Sequence, residues 1–174
     1  NLLQWYEEHP RALENLNLCS VNLSALSLCD DAFRQYVYKR LQSSGFPQHK
    51  LCFEITETAA ISNLAQAIEF IVTFQKNVCH FLLDDFGSGM SSFGNLKNLP
   101  VDFLKIDGEL VRDIISDKVD RAMVKSINEI GQLMGKYTVA EYVENEEILE
   151  LLKSIGVDYA QGYAIDRPSP LKVI

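Results

Sequence analysis

The sequence predicts a single α/β domain built on parallel strands, and three observations carry that prediction. Apolar runs rich in β-formers alternate with helix-period segments along the chain. The runs read as near-continuous hydrophobics, as strands do when both faces are buried. Successive runs deliver a polar residue at or near their carboxyl ends. Alternating strand and helix implies parallel strands joined by right-handed crossovers. Periodicity alone does not choose between a doubly wound sheet and a barrel. No GxGxxG or Walker sequence supports the sheet's nucleotide-binding versions.

The strand candidates, in order, are Leu18–Asn22, Lys50–Glu54, Cys79–Asp84, Phe103–Ile106, Tyr137–Glu141 and the shorter Tyr159–Gln161. Helical patterns lie between them. Asp30 and Asp31 read as a cap before Phe33, Tyr36, Val37 and Leu41. Ser62 and Asn63 precede Leu64, Ala67, Ile68, Ile71 and Phe74. The longest helix carries Val119, Ala122, Met123, Ile127, Ile130, Leu133 and Met134, and the last carries Ile148, Leu151, Leu152 and Ile155. These apolar residues recur at i, i+3 and i+4, and several runs begin on capping residues. Gly45, Gly135 and Gly156 stand where helices should end. No linker, low-complexity tract or charge block divides the chain, so residues 1–174 are read as one domain.

A chain of 174 residues is long enough to bury one good core and short for two ordinary domains. With 47% hydrophobic and 23% charged residues, the composition is that of a folded globular protein. No apolar run approaches the roughly 20 residues that cross a bilayer, and no signal peptide is visible, so the expected location is cytoplasmic. Cys19, Cys29, Cys52 and Cys79 form no CxxC pair and read as reduced thiols. Asn22-Leu-Ser24 matches a glycosylation sequon, which carries little weight without a secretory signal. Sixteen Lys plus Arg face 24 Asp plus Glu, a net charge of −8 that argues against a DNA or RNA polymer as partner. A small phosphorylated ligand held through metal ions remains compatible with that charge. The chain starts at Asn1 rather than Met, inside a helix-like segment, and reads as a piece of a longer parent with other domains.

Polar residues suited to metal or phosphate chemistry recur at the strand ends. Asn22 ends the first run and Glu54 the second, with Glu57 three residues on. Asp84 and Asp85 end the third together, and adjacent carboxylates raise each other's pKa unless a positive charge sits between them. Lys105 and Asp107 flank the fourth, Glu141 ends the fifth with Glu144 beyond it, and Gln161 follows on the sixth. In a parallel α/β fold these ends face one way, where active sites are built. Hard oxygen ligands without clustered Cys or His favour Mg²⁺, Mn²⁺ or Ca²⁺ over zinc. A carboxylate cluster with one lysine and one glutamine suggests two-metal phosphoryl chemistry. Each residue also has an ordinary reading: Glu57, Asp107 and Glu144 as helix caps or ion-pair partners, Asn22 as a loop cap, Lys105 as a surface charge, Gly87-Ser-Gly89 as a turn. Repeated placement, not any single residue, favours a site.

Six segments carry a family resemblance: Val21-Asn-Leu-Ser24, Phe53-Glu-Ile-Thr-Glu57, Asp84-Asp-Phe-Gly-Ser-Gly-Met-Ser-Ser92, Leu99-Pro-Val-Asp-Phe-Leu-Lys-Ile-Asp107, Val139-Ala-Glu-Tyr-Val-Glu144 and Gln161-Gly-Tyr163. In order and spacing the sequence resembles an EAL domain, the bacterial cyclic di-GMP phosphodiesterase module. The resemblance implies a TIM-type (β/α) barrel that hydrolyses cyclic di-GMP to linear pGpG with Mg²⁺ or Mn²⁺ at a two-metal site. It puts Asn22, Glu54, Asp84, Asp85 and Glu141 on metal positions, with catalytic roles for Asp85, Lys105 and Glu141. Lys105 falls on the lysine that contacts the attacking water, and Gln161 and Asn22 on the substrate side. Glu57 matches the glutamate that braces the loop after the double Asp, a loop the family uses to couple dimerisation to metal binding. Asp107 and Glu144 read as supports.

The sequence departs from the family in three ways. The signature Glu-Ala-Leu lies outside these residues, so the chain is expected to hold an incomplete barrel, about six of eight strands, and to be weakly active or inactive by itself. Tyr142 stands where the family usually has glycine, and Met90 where Tyr or Leu is common. An open parallel sheet exposes edge strands and apolar surface, so a homodimer or swapped self-association is expected. The alternative to an enzyme is a non-hydrolytic cyclic di-GMP sensor or protein-interaction module.

Overall fold

The computed structural model describes residues 2–11, 14, 16–87 and 93–170. Its strands are β1 (Cys19–Asn22), β2 (Leu51–Thr56), β3 (His80–Phe86), β4 (Phe103–Ile106), β5 (Tyr137–Ala140) and β6 (Tyr159–Ala160). The helices are α1 (Leu2–Glu8), α2 (Ala25–Leu28), α3 (Asp31–Ser43), α4 (Glu57–Ser62), α5 (Leu64–Gln75), α6 (Phe93–Leu96), α7 (Gly108–Arg112), α8 (Lys118–Leu133) and α9 (Glu146–Ile155). Among the described residues no helix is long and apolar enough to cross a membrane. The turn expected at Gly87-Ser-Gly89 lies outside the described residues beyond Gly87, as does Met90.

All neighbouring strands pair in parallel, in the order β1-β2-β3-β4-β5-β6. That order settles the choice left open by periodicity. A doubly wound sheet reverses its strand order at a switch point, which sends helices to both faces. Here the order never reverses, so successive right-handed crossovers lay every helix on the same face. The result is an open section of a barrel.

Alternation along each strand divides the side chains between the two faces. Leu51, Phe53 and Ile55 of β2, Phe81 and Leu83 of β3, and Leu104 and Ile106 of β4 join the main core under the helices. Phe53 lies 5.7 Å from Phe70 and 5.5 Å from Phe81, which ties α5 to the sheet through ring contacts. Cys52, Leu82 and Phe103 occupy the opposite, concave face, where Leu18 and Val139 pack against them. The same alternation carries Glu54, Asp84 and Lys105 onto that concave face, nearer the carboxyl ends.

The caps follow the residues read from sequence. Asp30 accepts from the backbone N–H groups of Ala32 and Phe33 at the start of α3, and Gly156 ends α9 in the left-handed region at φ +90°. Asn63 precedes α5 without capping it; its side chain donates back to the Ala59 carbonyl at 3.2 Å. Asp102 and Asp158 do parallel work at the other end of the sheet. Each accepts a strand N–H at 2.8 Å, from Phe81 and Thr138 respectively.

Candidate active site

The site grows from an irregularity in β3. Pairing with β4 runs Leu82–Phe103 and Leu83–Leu104, then resumes at Phe86–Ile106. Three steps along β3 therefore face two along β4, which is a β-bulge at Asp84 and Asp85. Asp85 takes φ +57°, a left-handed conformation that aspartate tolerates better than most residues. In a regular strand, neighbouring side chains point to opposite faces. The bulge cancels that rule and turns both carboxylates into one site, with the Asp85 N–H donating to Asp84 Oδ1 at 3.0 Å. The pair thus sits inside β3, not at its end as the apolar pattern suggests, and Phe86 continues the strand.

The other strand-end residues converge on it. The Lys105 ammonium lies 3.2 Å from Asp84 Oδ1, 3.3 Å from Glu54 Oε2 and 3.5 Å from Glu141 Oε2. Only 6% of Lys105 is exposed, so it is a buried centre of charge rather than a surface lysine. Glu141 is fixed from two sides: Oε2 faces Lys105 while Oε1 accepts the Gly108 N–H at 3.1 Å. Glu54 lies one turn of pleat before the end of β2, because Ile55 and Thr56 extend the strand beyond the expected boundary. Asn22 sits opposite Glu54 in the sheet register and is exposed. Gln161 is exposed beside Glu141, tied there because its N–H donates to Ala140 O at 2.8 Å and its carbonyl accepts from Val143.

The supporting residues divide. Asp107 is a helix cap, accepting the Glu109 N–H at 2.7 Å at the start of α7. Glu57 is buried at the first turn of α4, but the cap there is Thr56, which accepts from Ala59. Glu144 is exposed and lines a cavity of about 290 Å³ with Glu141, Tyr142, Gln161, Gly162 and Tyr163. Gly108 was not singled out from the sequence. Its role depends on the loop after β5 returning to the start of α7, and the one local signal is a glycine directly after Asp107.

Charge explains what the cluster can hold. Burial, then the charges of Asp84 and Asp107, push the Asp85 carboxyl above its ordinary value, against the pull of Lys105. Burial is also the largest cause raising Glu141; Asp84 adds to it, while Lys105 and the Gly108 N–H oppose it. For Lys105 burial lowers the pKa more than any other single influence, yet Glu54, Asp84 and Glu141 together leave it raised. The cluster is therefore still short of positive charge. Asp84, Asp85 and Glu141 each offer a carboxylate oxygen, all within 4.8 Å of one another. A cation with oxygen ligands at about 2.0–2.6 Å spans oxygens roughly 4–5 Å apart, so this hard donor set fits a divalent ion of the Mg²⁺, Mn²⁺ or Ca²⁺ kind.

A parallel barrel section with a carboxylate–lysine site at its strand ends defines the class: an α/β domain of TIM-barrel type. The family model for the EAL domain matches residues 1–168, and the chain belongs to the EAL domain family. It is 48% identical over 152 residues to the cyclic di-GMP phosphodiesterase PdeB of Shewanella oneidensis, covering 87% of this chain and 18% of that protein. It is 40% identical over 169 residues to the cyclic di-GMP phosphodiesterase PdeF of Escherichia coli, covering 97% of this chain and 22% of that protein. The chain thus spans less than a quarter of the length of these curated relatives. The PaMucR phosphodiesterase in complex with c-di-GMP superposes with a TM-score of 0.86 at 29% identity, covering 97% of this chain and 71% of that one. The FimX EAL domain superposes at 0.89 and 30% identity, covering 97% of this chain and 67% of that one.

Proposed function

We propose that residues 1–174 form a single phosphodiesterase domain that hydrolyses cyclic di-GMP to linear pGpG. One observation carries the reading: the bulge in β3 brings Asp84, Asp85 and Glu141 within ligand reach of one another, with Lys105 buried against two of them. Membership of the EAL family and the activities named for its relatives support it.

In this reading Asp84, Asp85, Glu141, Glu54 and Asn22 hold Mg²⁺ or Mn²⁺. When bound, such ions polarise the phosphate and lower the pKa of water. The chain's own residues do the rest. Lys105 steers the attacking water and offsets charge that develops on the phosphate. The Gly108 N–H fixes the direction of the Glu141 carboxylate. Gln161, at the cavity rim, binds the substrate, and Glu57 and Glu144 support the loops on either side. The reading includes self-association in the cytoplasm, alongside other domains of a longer protein.

The test uses the natural protein that contains these 174 residues, incubated with cyclic di-GMP and Mg²⁺ or Mn²⁺ and resolved by chromatography. Conversion to pGpG, abolished by chelation and by Asp84→Asn, is expected. Tight binding of cyclic di-GMP without conversion in either metal would replace the enzyme with a non-hydrolytic sensor.

A further inference from the structure

Tyr142 directly follows Glu141 and holds φ +58°. A bulky residue in that region is an outlier, and such strain persists only where the surroundings fix it. Here α7 fixes it from one side. The Arg112 guanidinium lies 5.1 Å from the ring centroid. One helical turn earlier, Gly108 abuts the ring so closely that any β-carbon at 108 would overlap Tyr142 Cδ2. Yet the clamped residue is not put away in the core. It remains 48% exposed and forms a wall of the cavity of about 290 Å³ shared with Glu141, Gln161 and Tyr163. Tyr163, 59% exposed, carries its own guanidinium, Arg167, at 5.0 Å.

A surface tyrosine that merely covers an arginine would be expected at ordinary backbone angles and free to rotate. This one is strained, packed against α7 and shares a cavity wall with the candidate metal ligand Glu141. A rigid ring loses little side-chain freedom on binding, and a flat π surface recognises another flat π surface. The guanidinium held against it adds positive charge beside the phosphates of a dinucleotide. We propose that Tyr142 is a specificity-determining residue, a stacking platform for one purine base of the substrate. The inference rests on the cyclic dinucleotide reading above. It would not apply where glycine, the residue expected at this place from the family resemblance, presents no ring.

The test compares the natural protein with Tyr142→Gly, which removes the ring and relieves the backbone, and with Tyr142→Phe. KM and kcat are measured on cyclic di-GMP. Fluorescence is followed for a cyclic dinucleotide with 2-aminopurine in place of one guanine, which is quenched when that base stacks. Base–aromatic stacking contributes about five- to 150-fold in affinity. Tyr142→Gly is therefore expected to raise KM at least about fivefold, to carry most of its loss of kcat/KM in KM, and to lose the quench. Tyr142→Phe is expected to rescue both. If the unsubstituted protein neither binds nor hydrolyses cyclic di-GMP, the phosphodiesterase reading falls and this inference with it. If it does both, but Tyr142→Gly keeps its KM and quench, the stacking role alone is overturned. A loss confined to kcat also overturns it, since the ring would then act only by holding Glu141.

Discussion

Replacing Lys105 with methionine keeps an unbranched side chain one atom shorter and removes its charge from between Glu54, Asp84 and Glu141, which approach it at 3.2–3.5 Å. The side chains concerned are 7%, 10%, 12% and 19% exposed, so solvent screens the loss poorly. Removing one partner of a buried pair typically costs about 3–5 kcal/mol, because the remaining charge is left uncompensated. Protonation limits the damage. Without Lys105 the Glu141 carboxyl, already raised by burial in the parent, loses the charge that opposes that rise. A raised group's contribution to stability is fully present below the unfolded pKa and is lost as pH rises through the folded one. Each unit of rise is worth about 1.4 kcal/mol. The parent's own Lys105 pKa is raised, so its contribution holds throughout this window and is lost only above the lysine's ordinary range. The difference between variant and parent should therefore be about 4 kcal/mol at pH 8 and smaller at pH 5. At about 2–4 °C per kcal/mol for a domain of this size, the pH 8 figure is a fall in Tm of roughly 8–16 °C. Thermal unfolding by circular dichroism in chelator, at both pH values, measures it. Adding Mg²⁺ should restore more Tm to the variant than to the parent, because a cation then supplies the missing charge. A fall of under about 3 °C at pH 8 in chelator, or an equal fall at both pH values, would refute the claim that Lys105 holds these carboxylates together.

Two further outcomes follow from other parts of the structure. Burial pushes the Cys52 thiol up to about 12 and the Cys79 thiol up to about 11, whereas Cys29 is exposed. Iodoacetamide at pH 8 followed by mass spectrometry should label Cys29 readily, and Cys52 and Cys79 only after denaturation; rapid labelling of Cys52 in the folded protein would contradict its position on the concave face. Gly108→Ala should destabilise by about 1–3 kcal/mol through overlap with Tyr142, and should lower kcat by disturbing the N–H held on Glu141. Adding Tyr142→Gly to it should recover stability in a denaturant titration, and strictly additive losses would show that the two residues are not coupled.

Most of the fold was legible because its signals are local. Leu51, Phe53, Phe81 and Leu104 sit in continuous apolar runs, and those runs became β2, β3 and β4 within a residue or two. The errors in their ends have a common cause: the chain changes from strand to helix at a capping residue, not at the first charge. Thus Glu54 does not close β2, because Ile55 still belongs to the core and Thr56 is the residue that caps α4. The direction of the whole sheet was beyond local pattern, since helices on one face or on two have the same period; the resemblance to EAL domains supplied it, and the unreversed strand order bears it out.

The site was legible as a list of residues and illegible as a geometry. A sequence shows Asp84 beside Asp85, and by the period of a strand it implies that they point to opposite faces. Their convergence depends on one extra residue in β3 and a left-handed backbone at Asp85. The same holds at Tyr142, where a left-handed residue follows Glu141. In both places a non-glycine residue keeps a conformation that ordinarily costs free energy, and in both the adjacent carboxylate is a candidate metal ligand. Val78, ahead of β3 and at the opposite end from the cluster, also holds a left-handed backbone at φ +60°, so a positive φ alone does not mark a site; at Asp85 and Tyr142 it accompanies converging carboxylates. A core would favour the relaxed backbone, whereas a site that must aim Asp84, Asp85 and Glu141 at one point cannot adopt it. At Asp85 and Tyr142, then, the strain that sequence patterns fail to register accompanies the carboxylates that converge in the candidate site.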